Sequence, residues 1–307
     1  MQANTAQVIR MPGQAAVLTE ELMREWIDST DCNHCTRRAY STAIRQMLDY
    51  FNLIGKTQPE RSDLHAWRAE LLKDHAAGTV SLYITAARLF FKWLDIENRF
   101  EDISRGIKGA KSERGFKKDS LTPHAARETL AAVNGLRDTA ILTLMITTGL
   151  RCIEVSRANI EDIRTVGDSA VLYVQGKGRL EKNEYVKLSP HAHKALLAYL
   201  ADKKEATGAL FTSTSNNSAG KRLTTTSISA IVKAAMRAAG YDSTRLTAHS
   251  LRHTAATLNL MAGGTLQETQ QLLRHQNINT TMIYSQNLER MANQSETRID
   301  AMIFNAD

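Results

Sequence analysis

Apolar residues recur at helical spacing in four successive stretches of the N-terminal third, each with its own start and stop signals. Thr19 precedes a segment with Leu22, Met23, Trp26 and Ile27 on one side, and Thr36 precedes one with Tyr40, Ile44, Met47, Leu48 and Phe51 inward, closed by Gly55. Leu64, Trp67, Leu71 and Leu72 mark a third, ended at Gly78, and Thr79 caps a fourth that turns Tyr83, Ile84, Ala87, Phe91 and Leu94 inward. Amphipathic helices in this number and spacing predict a small helical bundle.

A second set of elements opens at Thr122-Pro123, a capping residue followed by a first-turn proline. Leu130, Val133, Leu136, Ile141, Leu142, Leu144 and Met145 are its first core residues, and Thr148-Gly149 breaks the helix they lie on. The period then changes to two in I-E-D-I-R-T-V, A-V-L-Y-V-Q and N-E-Y-V-K-L, with turn signals at Gly167-Asp168 and Gly176-Lys177-Gly178. That alternation predicts a three-stranded antiparallel sheet. Helices follow with Ser189-Pro190 and Thr225 or Thr226 at their starts, then with Thr247, with a Thr265–Glu268 capping box, and with Asn279 or Thr280.

Between the two sets the stretch from Gly106 to Ser120 is basic, glycine-containing and aperiodic, which marks a linker. The expected organisation is a flexible start over residues 1–17, a helical domain over 18–107, a basic linker over 108–120 and a second domain over 121–307. A length of 307 residues suits two cores better than one.

Composition narrows the partner. Lys and Arg number 39 against 32 Asp and Glu, a net charge of +7, which favours a polyanion. Arg37, Arg38, Arg45 and Arg88 on the first domain, and Lys221, Arg222, Lys233 and Arg237 on the second, are candidates for contacts to a phosphate backbone. No apolar run approaches the roughly 20 residues of a membrane span, and the N-terminus lacks a signal-peptide core, so an intracellular protein is expected. Cys32, Cys35 and Cys152 cannot build a disulfide framework, and C-N-H-C at 32–35 is half of a four-ligand zinc site with no second half, so no metal is expected.

The reactive side chains gather between Thr247 and Tyr284. His249 and Arg252 stand three apart at the start of one helix and can reach one ligand. His275 falls where the next helix runs out, and Tyr284 lies in the first turns of the one after. Cations, imidazoles and a phenol near helix ends suit a phosphate attacked by tyrosine. Arg151 begins a helix after Gly149, where Glu154 can hold its guanidinium, and Lys177 sits at the second hairpin tip. His253 is expected to point off the shared face and to be structural, and His34, His65, His75, His124, His191 and His193 have no partner pattern.

With these positions in place, the chain resembles the tyrosine recombinases, or phage integrases, from about residue 17 to 307. H-S-L-R at 249–252 with L-L-R-H-Q-N-I-N-T-T-M-I-Y at 272–284 is similar to the family's H-x-x-R and L-G-H-x-x-x-x-T-T-x-x-Y, while T-G-L-R-C-I-E at 148–154 and Q-G-K-G at 175–178 match its other two elements. The departure is Arg274, where the family usually has glycine: either the backbone tolerates a side chain there or Arg274 adds a phosphate contact.

The resemblance implies a mainly α fold with a small antiparallel sheet, in which a four-helix SAM-like DNA-binding bundle precedes an α+β catalytic domain. It implies a site-specific recombinase that cuts and rejoins DNA through a 3′-phosphotyrosyl intermediate, with no ATP, metal or other cofactor. Tyr284 would be the nucleophile, Arg151 and Arg252 would grip the phosphate, His249 would move a proton and His275 would hydrogen-bond the phosphate. Lys177 would protonate the leaving 5′ oxygen, and Glu154 would support Arg151. Partners implied are double-stranded DNA with an inverted-repeat site and a homotetramer coupled through the C-terminal tail, acting through a Holliday junction in the cytoplasm, at the nucleoid. The task would be integration or excision of a mobile element, or resolution of replicon dimers. A type IB topoisomerase or telomere resolvase is the alternative with the same chemistry, and a catalytically silent DNA-binding regulator the alternative without it.

Overall fold

The computed structural model describes residues 17–111, 119–176 and 181–304. The chain divides into two compact units, one N-terminal and one C-terminal.

The N-terminal unit is built from α1 (Glu20–Ser29), α2 (His34–Leu53), α3 (Arg61–Asp74) and α4 (Ala77–Ile96). Thr19 caps α1 by accepting the Leu22 N–H at 3.3 Å. α2 begins earlier than expected: Asn33, an equally good cap, takes the Thr36 N–H at 3.0 Å, so Thr36 lies inside the first turn. α3 and α4 are separated by His75 and Ala76, both extended, which stops α3 before Gly78 and leaves that glycine within α4. Met23, Trp26, Ile44, Met47, Trp67, Ile84, Phe90 and Phe91 fill the core. Beyond α4 the chain stays on the bundle as far as Ala110. Ile107 is buried, Arg68 donates to the carbonyls of Lys108 and Gly109, and Ser81 Oγ donates to that of Ala110.

The C-terminal unit runs α5 (Pro123–Ala131), α6 (Leu136–Thr148) and α7 (Cys152–Arg157), then a 3-10 turn at Ile160–Asp162. Strands β1 (Ile163–Val166), β2 (Ser169–Val174) and β3 (Glu184–Lys187) follow as one antiparallel sheet in sequence order. Its register sets Ile163 opposite Leu172 and Leu172 opposite Val186. Helices α8 (Pro190–Lys203), α9 (Thr225–Ala238), α10 (Ala248–Met261), α11 (Leu266–Leu273), α12 (Asn279–Ala292) and α13 (Ser295–Phe304) complete it. The cap of α9 is Thr224, one residue before the expected pair, and it accepts the Ser227 N–H at 3.1 Å. α6 is buried along Ala140–Ile146 and packs on α8 and α10. A rigid central helix of this kind fixes where its own C-terminus lies, and the reactive residues collect there.

Candidate active site

The end of α6 forms one wall. Gly149 takes φ +62°, and a Cβ on it would stand 2.7 Å from Leu273 Cδ2, so both conformation and close approach require glycine. Its carbonyl accepts a 2.6 Å bond from Arg252 Nη1, and Arg252 Nη2 donates to the carbonyl of Leu273, the last residue of α11. Arg252 is therefore 1% exposed yet paired with two helix-end carbonyls that lack intrahelical partners. Burial and the Arg151 charge lower its pKa to about 9, which leaves it a cation at neutral pH.

Arg151 is the N-cap of α7. Glu154, whose side chain is fully buried, accepts the Arg151 backbone N–H at 2.8 Å and its Nη1 at 2.9 Å. One carboxylate thus caps the helix and orients the guanidinium. The same carboxylate also receives Arg274 Nη2 at 2.8 Å, from the end of α11.

α10 supplies the imidazoles, and its geometry departs from the expectation of one shared face. Arg252 turns inward, while His249, exposed in the first turn, meets His253 one turn on, with ring centroids 4.7 Å apart and perpendicular. The expectation that His253 points away from the site does not match its position. Its Nδ1 lies 2.6 Å from the Tyr284 hydroxyl, because α12 packs on α10 and lays the phenol across that side. Burial, followed by His249 and Arg252, lowers the His253 pKa to about 4, so the ring is neutral at neutral pH and, with the proton on Nε2, accepts a hydrogen bond from the phenol. The signal for His253 was its i,i+4 spacing from His249.

Arg274, in a left-handed conformation at φ +53°, ends α11 and turns the chain into His275. His275 Nδ1 lies 2.9 Å from Oγ1 of the buried Thr281, and Gln270 Nε2 donates to the His275 carbonyl at 2.9 Å. Burial and the charges of Arg252 and Arg151 push the His275 pKa down to about 4. Tyr284 is 4% exposed and packs on Ala256 and Leu273. Burial pushes its phenol up to about 12, against the pull of Arg252 and Arg151. Lys177 lies outside the described residues.

Cationic guanidiniums, a neutral imidazole and a phenol therefore meet where α6, α10, α11 and α12 come together, the inventory needed to hold a phosphodiester against a nucleophile. Residues 120–291 match the phage integrase family.

The chain belongs to that family.

It is a tyrosine recombinase, an enzyme of site-specific DNA recombination. It is 30% identical over 274 residues to the tyrosine recombinase XerD of Bifidobacterium longum, covering 81% of this chain and 86% of that protein. The fold is that of the XerH site-specific recombinase in a post-cleavage complex with palindromic difH substrate, with a TM-score of 0.70 at 19% identity over 89% of this chain and 84% of that one. It is also that of lambda integrase solved as a tetramer on a Holliday junction, with a TM-score of 0.69 at 16% identity over 88% and 78%.

The recombinase uses several of its candidate backbone-contacting cations internally. Arg37 donates to the carbonyls of Cys32 and Thr30, and Arg45 pairs with Glu20. Arg222 holds the carbonyls of Ser156 and Ala158, Lys233 that of Ser243, and Arg237 pairs with Asp242. Arg38, Arg88 and Lys221 are exposed and have no side-chain partner among the described residues. No helix among those residues is long and apolar enough to cross a membrane.

Proposed function

We propose that this recombinase cleaves one strand at a specific DNA site by attack of Tyr284 on the scissile phosphate, holds the broken end as a 3′-phosphotyrosyl ester, and rejoins it to a new partner. The observation that carries this reading is the convergence of Arg151, Arg252, His275 and the Tyr284 hydroxyl at one meeting point of helix ends. In the attack, the phenol O–H breaks, the O–P bond forms and the bond to the 5′ oxygen breaks. The pentacoordinate state adds negative charge to the non-bridging oxygens, which Arg151 and Arg252 neutralise from fixed positions. His275 donates a hydrogen bond to the same phosphate. His249 moves the proton at the nucleophile, and Lys177 supplies one to the departing 5′ oxygen. The phosphotyrosyl ester conserves the bond energy, so rejoining needs no ATP.

The assembly we infer is a homotetramer on two duplexes carrying inverted repeats. Two of the fold's solved relatives support it, one on a palindromic substrate and the other a tetramer on a Holliday junction. α13 supports it from within the chain: none of its residues is buried, and Ile299, Met302, Ile303 and Phe304 are exposed. A second copy is the occupant we infer for that apolar helix. The arena is DNA of the cytoplasm, at the nucleoid, where the same chemistry serves integration or excision of a mobile element and resolution of replicon dimers.

The test begins with selection of bound duplexes from random DNA, followed by a nicked derivative of the selected site that traps the cleaved strand. Wild-type protein should form a covalent adduct and Tyr284→Phe none; an adduct on the Phe variant would remove Tyr284 as nucleophile. A catalytically silent regulator would bind the duplex and give no adduct at all. A type IB topoisomerase would relax a supercoiled circle lacking the selected site.

A further inference from the structure

Arg274 is costly to its own surroundings. It is not glycine, yet it takes the left-handed conformation, at φ +53°. Its side chain is 6% exposed, and its Nε–H has no hydrogen-bond partner among the described residues. What it gains is placed entirely at the candidate site. Nη1 donates to the Leu272 carbonyl at 2.9 Å, and Nη2 to Glu154 Oε2 at 2.8 Å. That oxygen also receives the Arg151 backbone N–H, while Glu154 Oε1 receives the Arg151 guanidinium. A single buried carboxylate is therefore held from two sides, by the start of α7 and by the end of α11, 120 residues apart in sequence.

Without Arg274, Glu154 would keep its bonds to Arg151 but lose the anchor that fixes the pair against α11. α11 is also where Arg252 takes its second carbonyl, from Leu273. We propose that Arg274 is a positioning residue for the cleavage reaction: by gripping Glu154 from the end of α11, it sets Arg151 in register with Arg252, so that both guanidiniums meet one phosphate. This rests on the reading that Arg151 and Arg252 bind the scissile phosphate. A displacement of about 1 Å in a group at the reacting centre can cost rate about 100-fold.

The experiment uses the full chain and the selected, nicked duplex, in two forms. One carries the natural scissile phosphate; the other carries a methylphosphonate there, which lacks the negative charge that Arg151 neutralises. Arg274→Gly suits the backbone and removes the grip. It should form adduct about 10- to 100-fold more slowly at saturating DNA, with half-saturating DNA within about twofold of wild type and thermal stability retained. On the methylphosphonate the deficit should shrink to about threefold or less, because the guanidinium being positioned has less charge to offset. Arg274→Lys, which restores a cation facing Glu154, should recover part of the rate; should the glycine variant lose its fold, the lysine variant carries the same comparison. Wild-type rates for Arg274→Gly on the natural phosphate would overturn the proposal, as would an equal deficit on both substrates, which would mark a packing role. Arg151→Ala run in parallel separates the two readings, since full activity in that variant would refute the phosphate assignment itself.

Discussion

Two imidazoles of the site, His253 and His275, have pKa values of about 4 in the folded protein, against an ordinary value near 6.5 in an unfolded chain. The unfolded state therefore takes up protons first as the pH falls. The stability these residues contribute is complete above about pH 6.5 and is lost progressively between there and pH 4. Thermal unfolding of the C-terminal unit should show a lower Tm at pH 5.0 than at pH 7.5. His253→Gln, which keeps a polar group against the phenol but cannot titrate, should narrow that difference. An unchanged difference in the variant would mean that His253 is not held neutral in the fold. Protonation would also remove the Nδ1 lone pair through which His253 can accept a hydrogen bond from the Tyr284 hydroxyl.

At the scale of elements, the site is an assembly of helix ends. The start of α7 carries Arg151, the last residues of α6 and α11 lend carbonyls to Arg252, and the left-handed close of α11 presents His275. Such ends hold carbonyls without intrahelical partners, which makes them sockets for buried guanidiniums. α13 stands apart from this scheme, a helix with apolar residues and no buried face. Deleting residues 296–307 should leave the Tm and the binding of a single half-site unchanged but reduce complexes of several protomers on the full site in native gels. Full assembly by the truncated chain would assign the apolar helix no part in protomer contacts.

On the scale of the whole molecule, the net charge of +7 divides into cations spent on the fold and cations left for DNA. Arg222 satisfies the carbonyls of Ser156 and Ala158, whereas Arg88 is exposed with no side-chain partner among the described residues. Arg88→Gln should therefore leave Tm in place and reduce the slope of log K against log salt by about 1, the counterion release of one phosphate contact. Arg222→Gln should do the reverse, lowering Tm with the slope retained. A slope unmoved by Arg88→Gln would take that residue off the DNA path. The sequence by itself determined the helical bundle, the three-stranded sheet and the motifs that carry the family, because apolar periodicity and turn chemistry are local. The resemblance likewise singled out Arg151, Glu154, Arg252, His275 and Tyr284, since their types and order repeat a motif. Neither source could show that His253 would meet the Tyr284 hydroxyl, since the crossing of α10 by α12 decides which side of a helix the phenol lies against. Nor could they tell whether Arg274 was tolerated or used. That depended on a carboxylate 120 residues away being buried within its reach, and only the packed tertiary structure brings the two together.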